Sequence, residues 1–187
     1  MEVSHSELKA LVNQLESQSR ENYIPIIDRE DAAVLSTLAF LAKPGLFIDL
    51  GAGVGYSTLW LAIGAMGKHT TKIIAVEWDE DLADFLKRNA HAIERVTNVK
   101  VEVVVADAIE YLSNLEGDVK FSLAFVDIEK HQYPKAFDLL VGHMIHGGLM
   151  AFHNAYYPAP PKEFFKKIER FKNIIIPTPQ GLAIVSI

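Results

Sequence analysis

Residues 46–57 read Leu46-Phe47-Ile48-Asp49-Leu50-Gly51-Ala52-Gly53-Val54-Gly55-Tyr56-Ser57, and the change of pattern inside this stretch decides the fold. Leu46 to Leu50 is an apolar run of strand length, interrupted near its end by one carboxylate, Asp49. Three glycines follow at alternate positions, where backbone without side chains turns sharply and lets a ligand come close. Tyr56 to Met66 then reads as a helix that ends at Gly67, a residue suited to the position just past a helix. The helix N-terminus brings free N–H groups and a positive dipole end to the turn, a setting suited to a carboxylate.

The glycine spacing narrows the ligand. Dinucleotide-binding turns run G-x-G-x-x-G, whereas Gly51, Gly53 and Gly55 run G-x-G-x-G with an acidic residue two positions ahead of the first. A NAD-linked dehydrogenase is therefore disfavoured. The plain alternative is a tight strand-to-helix turn that holds nothing.

Working outward, strands and helices alternate. Strands are expected at Lys72–Glu77, Val99–Val105, Val119–Val126 and Leu149–Phe152, the last led in by Gly147-Gly148. Helices are expected from Asp79 through the apolar face Leu82, Phe85, Leu86, Ile93 and Val96, then at Ala108–Leu115, Pro134–Met144 and Lys162–Arg170. Such alternation implies parallel strands joined by right-handed crossovers. Asn173–Ile176 and Leu182–Ile187 are separated only by Pro177 to Gly181, too short for a helical crossover, so these two strands should pair antiparallel. Ahead of the first strand, Leu8, Leu11, Val12 and Leu15 recur at helical spacing, and a second helix runs from Arg29 to Ala42 behind Asp28 as its cap. The expectation is a single α/β domain over residues 1–187: a doubly wound, Rossmann-like, mostly parallel seven-stranded sheet with a C-terminal antiparallel hairpin. Its two N-terminal helices (residues 1–43) would cover a sheet face, close over a ligand or pack in a homodimer.

Composition removes several classes. The 187 residues include no cysteine, which excludes a disulfide scaffold, a thiolate metal site and a cysteine nucleophile. Met1 to His5 lacks a basic region leading into an apolar run, so no signal peptide is expected. No apolar run reaches the ~20 residues of a membrane helix, and the expected location is cytoplasmic. The net charge of −6 and the scattering of Lys and Arg argue against a large nucleic-acid footprint.

In a doubly wound sheet, ligands bind beyond the carboxyl ends of the strands, where this chain places its polar residues. Glu77 ends the second strand 26 residues after Gly51 and can accept hydrogen bonds from both hydroxyls of a ribose, or else cap the next helix together with Asp79. Trp78 can stack on an adenine or simply pack. Asp107, ahead of Ala108, can accept from an adenine amino group or cap a helix. Asp127, Lys130, His131, His153 and Asn154 lie at or just past the ends of the fourth and fifth strands, facing the same crevice.

With these residues in place, the chain resembles the small class I methyltransferases of the catechol and caffeoyl-CoA O-methyltransferase type. The resemblance runs from about Tyr23 to Ile187. It rests on Phe47 to Ala62, Ala75-Val76-Glu77-Trp78-Asp79, Asp107-Ala108, Phe125-Val126-Asp127-Ile128-Glu129-Lys130, Gly147-Gly148-Leu149 leading to Asn154, and Gly181-Leu182-Ala183. It implies S-adenosylmethionine held by Asp49, Gly51, Ala52, Gly53, Gly55, Tyr56, Ser57, Glu77, Trp78, Asp107, Ala108 and Asp127. It also implies Asp127 and Asn154 as metal ligands, and Lys130 as the group that takes the acceptor's hydroxyl proton, with Asp127 beside it in the chemistry. The residue before the asparagine is normally aspartate in that family; here it is His153. Oxygen ligands suit Mg2+, whereas imidazole suits Mn2+ or Zn2+; otherwise the site has lost its metal.

The expected activity is O-methylation of a small hydroxylated acceptor, with Tyr133, Tyr156 and Tyr157 and the prolines Pro158, Pro160 and Pro161 either lining its pocket or forming a plain surface loop. Glu129 and Lys130 are otherwise solvated loop charges. The alternatives are a methyltransferase acting on nitrogen, RNA or protein, or a non-catalytic S-adenosylmethionine-binding protein.

Overall fold

The computed structural model describes residues 5–187; part of the N-terminal stretch read above for a signal peptide lies outside them. The chain runs α1 (His5–Glu21), α2 (Arg29–Leu41), β1 (Leu46–Leu50), α3 (Tyr56–Ala65), β2 (Lys72–Glu77), α4 (Glu80–Thr97) and β3 (Lys100–Val105). It continues through α5 (Ala108–Ser113), β4 (Phe121–Val126), a 3-10 turn (Lys130–Gln132), α6 (Tyr133–His143), β5 (Met144–Phe152), α7 (Lys162–Ile168), β6 (Lys172–Ile176) and β7 (Leu182–Ser186). The seven strands form one sheet in the order β3-β2-β1-β4-β5-β7-β6. The first five strands pair in parallel, and β7 lies antiparallel between β5 and β6, the hairpin expected from the short Pro177–Gly181 link. The order reverses between β1 and β4, the switch point at which an open α/β sheet parts to form a crevice.

Alternate residues of each strand feed two cores. Phe47 and Phe125 join Leu15 of α1, Leu35 of α2, Leu59 of α3 and Ile93 of α4 on one face. Ile48 and Val126 join Leu112 of α5, Phe137 of α6 and Phe164 of α7 on the other. Because both faces are covered, β4 is buried at every position, which is why its sequence is a continuous apolar run. No helix among the described residues is long and apolar enough to cross a membrane.

One boundary differs from expectation. The strand predicted to begin at Leu149 begins at Met144, and Gly147-Gly148 lies inside it. The pairing jumps from Phe121 opposite Met144 to Leu123 opposite Leu149, so β5 carries extra residues as a bulge. A side chain on Gly148 would press on the carbonyls of Ile145 and Phe121. Glycines that read as a lead-in turn are thus what allows the bulge.

Tyr133, read as lining an acceptor pocket or as part of a surface loop, is instead fully buried. Its hydroxyl lies 3.0 Å from the carbonyl oxygens of both Val126 and His153, so its one proton is shared between the exits of β4 and β5. Replacing Tyr133 with Phe should lower unfolding stability by about 1 kcal/mol, read by urea denaturation. An unchanged midpoint would mean that this hydroxyl does not hold the two strand ends.

Candidate active site

A cavity of about 680 Å3 opens at the carboxyl ends of β1 to β5. Gly51 and Gly53 form its floor, Glu77, Trp78, Asp107 and Ala108 one wall, and Asp127, Glu129, Lys130, His153 and Asn154 the other. Ile24, Pro25 and Ile26, between α1 and α2, also line it, as do Pro158 and Gln180.

The glycines of the turn do different work. A Cβ on Gly51 would sit 2.3 Å from the backbone oxygen of Asp127, so this residue is bare because the β4 exit crosses it. A Cβ on Gly53, at φ +54, would meet nothing within 4 Å among the described residues, because it would project into open space. Only at Gly53 is the missing side chain left for a ligand to replace.

Carboxylates surround this turn. Asp49 is fully buried and accepts from Ser57 Oγ at 2.8 Å and Thr58 Oγ1 at 2.5 Å, both on one oxygen. Its other oxygen has no partner among the described residues. Burial, helped by the charges of Asp127 and Glu77, pushes Asp49 up to about 7 against the pull of Thr58 and Ser57. Glu77 accepts from the Gly53 N–H at 2.8 Å on one oxygen and from the Trp78 and Asp79 N–H groups at 2.9 and 3.0 Å on the other. A carboxylate has roughly four acceptor positions, so one is left for a hydroxyl. Asp79 and Asp107 cap α4 and α5, accepting from Leu82 N–H and Glu110 N–H. Asp107 also borders the cavity, so the capping and ligand readings are compatible.

The opposite wall is a chain of ion pairs. Lys130 Nζ donates to Asp127 Oδ1 at 2.6 Å and to the Ile128 carbonyl at 3.0 Å. His153 Nδ1 donates to Asp127 Oδ2 and Nε2 to Asp31 Oδ2, each at 3.1 Å. Thr178 Oγ1 donates to the remaining oxygen of Asp31 at 2.6 Å. Burial alone would push the His153 imidazole down, but Asp127 and Asp31 outweigh it and raise it to about 9. Burial would raise Asp127 and Asp31, but their hydrogen bonds to His153, with Lys130 and Thr178 respectively, hold both below the usual carboxylate range.

The structure thus gathers Gly51, Gly53, Glu77, Trp78, Asp107, Ala108, Asp127, Lys130, His153 and Asn154 around one cavity. Asp49, Ala52, Gly55, Tyr56 and Ser57 do not line it. Ser57 supports Asp49, and the Tyr56 hydroxyl donates to Glu16 of α1 at 2.8 Å, facing away from the turn. Asn154 spends its amide N–H groups on the Tyr157 carbonyl at 2.8 Å and Gln180 Oε1 at 3.0 Å. Tyr156 and Tyr157 are exposed and not among the lining residues. Asp31 was missed: three residues past Asp28, it reads as part of a helix start, and only tertiary packing brings it to His153. The sole signal was the run Asp28-Arg29-Glu30-Asp31, with one acid more than a cap needs.

Comparison with known proteins identifies a family and related folds. A family model described as O-methyltransferase matches residues 1–163. A catechol O-methyltransferase of Mycobacterium tuberculosis is 32% identical over 113 residues, covering 54% of this chain and 49% of that protein. The chain therefore spans about half the length of the curated relatives it matches. A methyltransferase structure from Geobacter sulfurreducens superposes with a TM-score of 0.80 at 23% identity, covering 95% of this chain and 87% of that one. An O-methyltransferase from Bacillus cereus, solved in complex with SAH, gives 0.76 at 19% identity over 98% and 90%. At those identities the two structures speak for the fold alone.

The ion-pair chain has a pH signature. His153 is raised from 6.5 to about 9, so the stability it adds is complete below pH 6.5 and is lost as pH rises through about 9. Thermal denaturation of the wild type should show melting temperature falling across that window, with a shallower fall in His153→Gln. Parallel curves would mean that the ring is not charged in the folded protein.

Proposed function

The chain belongs to the O-methyltransferase family, and on that premise we propose that it moves a methyl group from S-adenosylmethionine to a hydroxyl oxygen of a small acceptor. The observation that carries the reading is electrostatic. Glu77 and Asp127 stand close enough to Asp49 to raise its proton affinity, around a turn whose Gly53 leaves open space. Such a site repels a pyrophosphate and attracts a cation of nucleoside size.

S-adenosylmethionine supplies an activated methyl on a sulfonium, whose C–S bond breaks with its electron pair going to sulfur as an acceptor oxygen forms the new C–O bond. The chain's own residues bind and orient. Glu77, fixed by three backbone donors, offers its remaining acceptor position to a ribose hydroxyl. Trp78, 72% exposed beside the cavity, presents a ring for an adenine to cover, and the free oxygen of Asp107 suits its amino group. Asp49, with one oxygen unpartnered, draws positive charge toward the turn. Ile24 to Ile26 add apolar wall to the cavity, which suits the carbon skeleton of a small acceptor. Lys130, an ammonium paired with Asp127 at rest, is the base for the hydroxyl proton: once it has given one of its own protons to solvent, its Nζ takes the acceptor's as the C–O bond forms. No step is routed through a divalent cation, because Asp127, His153 and Asn154 do not present a fitting donor set.

The curated relatives are named catechol O-methyltransferase, which makes a dihydroxylated aromatic ring the first acceptor to try. Incubation with methyl-labelled S-adenosylmethionine should label such a ring and leave amines and RNA unlabelled; label found only in an amine or RNA would overturn the assignment. Gly53→Val should weaken cofactor binding tenfold or more while the protein still folds, measured by calorimetry; unchanged affinity would remove the turn from the binding site. Binding should also weaken as pH falls below about 7, because a protonated Asp49 behind the turn no longer draws positive charge to it, and Asp49→Asn should flatten that dependence.

A further inference from the structure

We propose that this chain has replaced the divalent cation of its family with an internal cation: the His153 ring, doubly protonated and bridged between Asp31 and Asp127, closes the metal position. The inference rests on the methyltransferase reading above. It also rests on which atoms are free to bind a metal.

The argument is one of lone pairs. Both ring nitrogens of His153 lie 3.1 Å from carboxylate oxygens. An ionised carboxylate only accepts, so a ring that bonds carboxylates through both nitrogens must carry a proton on each. A ring in that state has no lone pair to give to Mg2+, Mn2+ or Zn2+. Asp127 is no freer, because Lys130 takes one of its oxygens and His153 the other. Asn154, the third expected ligand, is turned by its amide N–H groups toward Tyr157 and Gln180.

Charge leads to the same result. Asp31 and Asp127 carry two negative charges, and His153 with Lys130 carries two positive ones, all in contact. A divalent ion entering here would meet a balanced cluster and would have to expel one of the cations already present. With aspartate at position 153, the usual residue of the family, the same place would hold three carboxylates and lack one cation, which is a metal site. A single residue therefore separates the two designs, and Asp31 is what keeps His153 charged from the far side. His153 touches no acceptor through its nitrogens. It is a positioning residue that fixes Asp127, which in turn holds Lys130 toward the cavity.

The test uses the whole 187-residue chain. Mn2+ is titrated in with calorimetry and with the electron spin resonance of free Mn2+, and the His153 ring is followed by nitrogen-15 NMR at pH 7. Binding of S-adenosylhomocysteine is measured in the same samples. The wild type should show no saturable Mn2+ site, a ring with two N–H groups unaltered by Mn2+, and S-adenosylhomocysteine binding indifferent to chelator. His153→Asp should gain a Mn2+ site. Stoichiometric Mn2+ binding by the wild type that disappears in Asp127→Asn, or a ring with one bare nitrogen that responds to Mn2+, would overturn the proposal. A folded His153→Asp protein that gains no site would also count against it, because His153 would then not be what closes the position. Failure to bind S-adenosylhomocysteine would instead count against the function, so the two ideas fail separately.

Discussion

The crossing of two strand exits governs the rest of the molecule. Gly51 leaves β1 where the Asp127 carbonyl leaves β4, at a separation that leaves no room for a Cβ. These strands are neighbours in the sheet, yet their following helices pack on opposite faces, α3 with Phe47 and α6 with Ile48. The chain must part at this point. The parting opens the crevice, and the close crossing brings the Asp127 wall directly against the glycine turn. Gly51 thus serves the scaffold, and Gly53 two residues later is the residue left open for binding.

Because the walls are close, their charges must be settled together. Asp49 beneath the turn and Glu77 beside it carry the negative charge of one side, and burial together with the charges of Asp127 and Glu77 raises Asp49 to about 7. On the acceptor side, Lys130 and His153 neutralise Asp127 and Asp31 by direct contact. The cofactor side stays short of positive charge while the acceptor side is balanced. Under the proposed function, a sulfonium would be drawn to the first, and a neutral hydroxyl compound would suit the second.

Much of this layout was legible in the sequence because it follows from local rules. Alternating apolar runs and caps marked the elements, and the Pro177–Gly181 link was too short for anything but an antiparallel return. The residues around the cavity could be named because strand ends in a parallel sheet share one rim. What could not be read depended on side-chain direction. Tyr56 directly follows the third glycine and looks like a ligand contact, but its ring turns to Glu16, a partner 40 residues earlier. Tyr133 looked available and is buried because two carbonyls needed its proton. Gly147-Gly148 looked like a turn because a bulge and a turn draw on the same backbone freedom.

Asp31 is the clearest case of information absent from local pattern, and it changes how the N-terminal segment is understood. Its backbone N–H is capped by Asp28, an ordinary helix start, while its side chain reaches His153 just past β5 and Thr178 between β6 and β7. A buried carboxylate without partners would be costly, so α2 can dock only where His153 and Thr178 receive it. The same docking, with Ile24 to Ile26 leading into it, places the α1–α2 connection over the cavity mouth. The two N-terminal helices therefore belong to the site as much as to the core. One ring, held by a carboxylate on each side, ties the placement of α2 to that of Asp127.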